Sequence, residues 1–219
     1  METKKISHTL NPLILFAIII SLNTYSFYSL SPVLDLDGNH LQTNTNYHIL
    51  PLPAAAANDG GGLALSVKDP RRPCAPNVLQ ENDKTSVGLS LRFFPARDKK
   101  QFHQHIINSS VDLNIVFMAA TVCVQRTVWR VAGPDWATRR RYVRSDGVLG
   151  RPGAETVGNW FKIEEVDNGE IKGYKIVYCP SVCGNCRVEC GEVGVFVENG
   201  RRWLGLGGEL PLVIVFKKV

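Results

Sequence analysis

From residue 33 onward, apolar and polar positions alternate in short runs. "VLDLDGNHL" alternates around Asp37-Gly38-Asn39, a hairpin-type turn signal. "NYHILPL" follows as a strand, and "PAAAANDGGG", Pro53 to Gly62, reads as a loop of small residues. "LALSVKD", "VGLSLRFF", "VDLNIVFMA" and "TVWRVA" continue the series. "WFKIEEV" and "GYKIVYC" flank "DNGEIK" as a hairpin. "VGVFVENGRRWLGLG" places Asn199-Gly200 between two apolar runs, the strongest short-range hairpin signal. "LPLVIVFKKV" predicts a buried closing strand. No stretch shows the 3.6-residue period of an amphipathic helix of three turns.

About a dozen short strands with regular turn signals predict an all-β barrel or sandwich. A hairpin followed by an apolar strand recurs near residues 33–92, 93–155 and 158–219. Three four-strand units of this kind would make a β-trefoil, but spacing alone leaves the sandwich open.

The N-terminus differs from the rest. Lys4 and Lys5 precede "LILFAIIISL", Leu13 to Leu22. A membrane span needs about 20 apolar residues, so this shorter run reads as the core of a signal peptide. The expected division is a signal peptide over residues 1–26 and one domain over 27–219. The mature chain is expected to be secreted (extracellular or apoplastic) or vacuolar, with no membrane association once the signal is removed.

Composition then limits the function. Of 219 residues, 44% are hydrophobic and 21% charged, as in an ordinary globular protein, and the formal charge is +5. That is far from the dense basic face of a nucleic-acid binder, so no nucleic-acid partner is expected. The sequence has no G-x-S-x-G elbow, no H-E-x-x-H motif and no carboxylate pair in a glycosidase setting, so no catalytic residue, enzyme activity or cofactor is expected. His103 and His105 could share a metal, but no third ligand stands close in sequence, and solvated loop histidines are the expectation. Arg139 to Arg141, with Arg144 and Arg151, form a basic patch, read as a solvated face or a surface for an acidic partner. Trp129, Trp136, Trp160 and Trp203 are expected in the core or caps.

Four of the six cysteines lie in "CPSVCGNCRVEC", Cys179 to Cys190. This spacing admits structural disulfides, a zinc site or a redox pair at Cys183 and Cys186. An oxidising compartment and an even cysteine count favour disulfides. Zinc ribbons use two separated C-x-x-C hooks, and a redox C-x-x-C opens a helix in a βαβ setting. Neither context is present in the sequence.

"VLDLDGNHLQTNTNYHIL", Val33 to Leu50, resembles the N-terminal signature of the Kunitz-type soybean trypsin inhibitor family. The resemblance continues through Pro73-Cys74, "DLNIVF" from Asp112, Val122-Cys123, "WFKIEE" from Trp160, "YKIVYCP" from Tyr174 and "PLVIVFKK" near the end. The cysteine cluster is similar to that of the miraculin-like branch. The resemblance implies a disulfide-stapled β-trefoil: a six-stranded barrel capped by three hairpins. It also implies the pairs Cys74–Cys123, Cys179–Cys190 and Cys183–Cys186. The first closes a loop of about 50 residues and would stabilise by on the order of 4 kcal/mol.

The resemblance further implies an inhibitor whose partner is a trypsin-like serine protease; the even cysteine count gives no hint of an intermolecular bridge, so a monomer is expected. One exposed loop would enter the protease as a substrate does. Counting from Cys74, the reactive position falls at Arg97 in "FFPARDKKQFH", so the loop comprises Pro95, Ala96, Arg97 and Asp98. Three departures point to the alternative, a non-inhibitory binding or defence protein on the same trefoil. Asp98 sets a carboxylate after the scissile position. The stretch from Arg97 to Phe117 is longer than the family's loop. The family's loop-bracing Asn aligns with Thr43, with Asn44 next door. Asn108-Ser109-Ser110 is an N-glycosylation sequon, so Asn108 is the expected glycan site.

Overall fold

The alternating runs become strands, several with one face buried and the other partly exposed. The structure is a computed structural model that describes residues 30–53, 59–96, 105–123, 127–169 and 172–219. Residues 1–26, where the signal peptide is expected, lie outside the described residues.

A first unit contains β1 (Tyr47–Pro51), β2 (Leu63–Ser66), β3 (Asn77–Gln80) and β4 (Leu91–Pro95). A second contains β5 (Leu113–Phe117), β6 (Arg130–Val131), β7 (Val143–Arg144) and β8 (Lys162–Asp167). The third contains β9 (Lys172–Tyr178), β10 (Gly191–Glu198), β11 (Arg201–Leu206) and β13 (Ile214–Lys218), with the short β12 (Leu210–Pro211) paired to β10. The first and last strands of each unit close a ring. β1 pairs with β4, β4 with β5, Leu113 of β5 bridges to Phe161 just before β8, β8 pairs with β9, β9 with β13, and β13 with β1. The middle strands form three hairpins, β2–β3, β6–β7 and β10–β11. These hairpins touch one another through Asn77 and Arg144, Arg202 and Gln80, and Tyr142 and Gly205. A closed six-stranded barrel capped by three mutually bonded hairpins is a β-trefoil, and the two-sheet sandwich is set aside.

The first unit boundary differs from the sequence-based one by three residues within β4, and the second by one strand. The first unit runs to Pro95, and the second runs to Asp167. The hairpin β8–β9 looked like the opening of the third repeat but joins two repeats, with β8 closing the second. β3 also escaped the pattern. All four of its residues are buried, Asn77 and Gln80 included, so it shows no alternation to read. β13 is buried on one face alone: Ile214 and Phe216 point in, and Lys217 and Lys218 are exposed.

Alternate residues of the ring fill the barrel: Tyr47 and Ile49, Leu91 and Phe93, Leu113, Ile115 and Phe117, Ile163, Ile176 and Tyr178, Ile214 and Phe216. Aromatic edges meet faces inside it. Phe93 and Phe216 stand 5.4 Å apart, Trp129 and Phe161 5.9 Å, and Phe161 and Tyr178 6.0 Å. The cap holds a second cluster of Ala64, Leu79, Tyr142, Phe196 and Trp203. The Asn199-Gly200 turn adopts φ of 50° and 71°, the left-handed pair that a two-residue hairpin requires. Trp129, Trp160 and Trp203 are buried as expected. Trp136 is not: it is 85% exposed on the β6–β7 turn, which Asp135 holds by accepting from Ala137 and Thr138.

Candidate functional site

The six cysteines form Cys74–Cys123, Cys179–Cys190 and Cys183–Cys186, so none is a free thiol. With both members of the C-x-x-C tied to each other and flanked by a second bridge, the cluster is a stapled segment between β9 and β10. Among the described residues no group of three His, Cys, Asp or Glu side chains is placed to hold a metal.

The connection between β4 and β5 is built on two limbs. The outgoing limb ends the β4–β5 ladder, where Pro95 stands opposite Leu113. One step further, the Ala96 amide donates to the Asp112 carbonyl at 2.7 Å. Arg97 and Asp98 follow, and both lie outside the described residues, as does His103. The returning limb begins at His105, whose carbonyl accepts the Thr43 amide at 2.9 Å. Ile107 donates to Leu41 at 2.8 Å and accepts from Val33 at 2.9 Å. Ser109 donates to the Ser31 carbonyl at 2.8 Å, and the two hydroxyls meet at 3.0 Å. Ser110, at φ 59°, donates to Ile163 of β8 at 2.9 Å. Residues 105–110 are thus sewn between the N-terminal hairpin and the barrel, and 113–117 are β5. The length counted from Arg97 to Phe117 is therefore largely bonded framework.

Thr43 and Asn44 take opposite positions. Thr43 is 3% exposed beneath His105, and its hydroxyl finds no partner among the described residues. Asn44 is exposed on the turn before β1. Of the two, Thr43 occupies the place under the returning limb. Asn108 is half-buried and bridges to Pro32. His105 is exposed.

Two polar clusters escaped the sequence reading. Asp112 is nearly buried, and its carboxylate accepts the Ser181 amide at 3.0 and 3.2 Å and the Ser181 hydroxyl at 2.5 Å. Asn114, fully buried on β5, accepts from the Gly150 amide at 2.7 Å and donates to the Asn159 carbonyl at 2.8 Å. The signal for both was a polar residue on each side of Leu113 in an otherwise apolar strand, which calls for a partner once buried.

The arginine patch is mostly neutralised. Arg140 reaches Glu198 at 2.6 Å, bonds Glu209 and lies over the Phe196 ring at 4.5 Å. Arg141 stands 3.6 Å from Glu189 and over Tyr178. Arg144 faces Asp146 at 3.8 Å. Arg139 and Arg151 remain exposed. The carboxylates supplied within the chain favour the solvated face over a surface for an acidic partner. Glu198 is the hub of this network. Burial alone would push its carboxyl up, but bonds from Lys68, Tyr142 and Arg140 outweigh burial and lower it to about 2.

Barrel, caps and staples define the class: a disulfide-stapled β-trefoil whose β4–β5 connection leaves and returns on two bonded limbs. Over residues 33–218 the chain matches the Kunitz legume family, described as trypsin and protease inhibitors, and it belongs to that family. It is 40% identical over 193 residues to miraculin of Synsepalum dulcificum, covering 86% of this chain and 83% of that protein. It is 38% identical over 190 residues to Kunitz trypsin inhibitor 5 of Arabidopsis thaliana, covering 87% of each. Among solved structures it resembles the Kunitz-type cysteine protease inhibitor PCPI-3 from potato, with a TM-score of 0.70 and 31% identity over 87% of this chain and 98% of that one.

Proposed function

We propose that this chain is a secreted or vacuolar monomeric inhibitor of trypsin-like serine endopeptidases, inserting the loop around Arg97 into the protease as a substrate would enter. The observation that carries this reading is the pair of limbs. Ala96 and His105 are each fixed by backbone hydrogen bonds on either side of the segment that holds Arg97. A loop offered on fixed ends loses little freedom on binding, and that favours inhibition over turnover. Arg97 supplies the cation that the acidic primary pocket of trypsin accepts. Kinship with a trypsin inhibitor supports the same target. A glycan on Asn108 would sit on the returning limb, beside the loop.

A second reading is favoured by Asp98 and by the likeness to miraculin: a non-inhibitory binding protein on the same scaffold. An unpaired carboxylate pressed against a protease costs several kcal/mol, roughly 3–5 where a buried partner is missing. Titration of trypsin with the purified, oxidised protein and with Arg97→Ala separates the two. Stoichiometric inhibition that disappears in the variant supports the inhibitor. Full trypsin activity in the presence of both proteins leaves the binding protein.

A further inference from the structure

Asp112 faces two ways. Its backbone carbonyl holds the Ala96 amide, the last described residue before Arg97. Its carboxylate holds Ser181 through both the amide and the hydroxyl. Ser181 lies two residues beyond Cys179 and two before Cys183, inside the loop closed by Cys179–Cys190 and just ahead of the one closed by Cys183–Cys186. One nearly buried residue therefore touches the outgoing limb with its main chain and the stapled segment with its side chain.

A lone amide bond at the end of a ladder frays easily, because nothing beyond it resists opening. Here the acceptor is not free to move. Hydrogen bonds to a carboxylate are stronger than neutral ones, and the two amide contacts and the hydroxyl bond fix the Asp112 side chain. The donor residue is restrained in turn, since the Cys179–Cys190 bridge closes a loop of 11 positions around it.

We propose that Asp112 is a positioning residue that locks the Ala96 end of the loop onto the segment 179–190, making that segment a rigid backing for the outgoing limb. The geometric claim stands on its own, while its consequence at a protease rests on the inhibitory reading above. It gives the Cys179–Cys190 bridge a role beyond stability: it holds the donor that holds the limb.

The test uses the full oxidised protein with Asp112→Ala, Asp112→Asn and Ser181→Ala, each verified as folded by near-UV circular dichroism. Two readouts are taken well below the unfolding temperature: hydrogen exchange at the Ala96 amide, and the trypsin inhibition constant with the rate of cleavage after Arg97. Asp112→Ala should speed exchange at Ala96 and raise the inhibition constant by about ten- to a hundredfold. It should also speed cleavage, turning inhibitor toward substrate. Asparagine keeps one acceptor and should restore part of the effect. Ser181→Ala should act in the same direction but less, and the Asp112→Ala/Ser181→Ala double variant should be no worse than Asp112→Ala. A part that is merely structural would lower the unfolding temperature and leave both readouts unchanged in the folded variant, which overturns the proposal. If Asp112→Ala does not fold, Ser181→Ala decides by the same criteria. If the unmodified protein leaves trypsin active, the inhibitory reading fails, and exchange at Ala96 alone decides the role of Asp112.

Discussion

The cap and the loop limbs hold themselves together in different ways. The cap relies on side chains. Tyr142, Phe196 and Trp203 form its apolar cluster, Lys68 lies 4.6 Å over the Tyr142 ring and 5.4 Å from that of Trp203, and Glu198 gathers Lys68, Tyr142 and Arg140. The limbs rely chiefly on the main chain, Ala96 to Asp112, Thr43 to His105, Ile107 to Leu41 and Ser109 to Ser31, with side chains joining at Ser31–Ser109 and Asp112–Ser181. The difference teaches how one fold can carry variable function. A limb held by backbone bonds accepts many side chains in the loop between its ends. A cap held by side-chain packing is sensitive to each residue in it.

This contrast can be broken at its strongest point first. Trp203 is 3% exposed at the centre of the cap. Trp203→Ala should destabilise the fold by about 3–5 kcal/mol. Thermal unfolding would show the loss, while any inhibition measured well below the transition should be unchanged. A loss of inhibition in the folded variant would show that cap and limbs are not separable.

A smaller effect lies in the acid limb of stability. The Glu198 carboxyl is held at about 2 in the folded chain, against 4.5 for an ordinary glutamate. A depressed acid contributes stability that is complete above its unfolded pKa and is lost as pH falls through the folded one. The unfolding temperature should therefore decline between about pH 4.5 and 2, and Glu198→Gln should flatten that decline. Calorimetry across this window checks it; identical slopes for both proteins would remove Glu198 from the account.

The smallest expected effect is at Thr43. Its hydroxyl is buried beneath His105 without a partner among the described residues. Thr43→Val keeps the shape and removes the unpaired oxygen, so stability should rise by up to about 1 kcal/mol. Denaturant unfolding measures it. A loss of stability instead would show that the Thr43 hydroxyl is bonded.

Much of the architecture was legible because local patterning reports local structure. The Asn199-Gly200 hairpin and the half-buried strands β1, β4 and β8 follow from turn chemistry and period-two alternation. β3 was not legible, because a short strand buried on both faces has no period. Trp136 was misplaced because an aromatic residue has no local mark that tells core from turn tip. The ion pairs of Arg140 and Arg141 within the basic patch were not legible, because Glu198, Glu209 and Glu189 lie far along the chain. At the candidate site, Pro95, Arg97 and Thr43 could be named from resemblance, whereas Asp112 and Ser181, 69 residues apart, could not be paired.

The sequence by itself determined the strand-rich class and the turns, since each depends on residues within a few positions of one another, and its composition gave the even count of cysteines. Tertiary structure alone decided where the repeats begin, which arginines are neutralised, and that the stapled segment backs the outgoing limb. Those outcomes depend on closing the barrel. Closure brings distant side chains within hydrogen-bond reach, and a buried carboxylate such as Asp112 must then find its donors there.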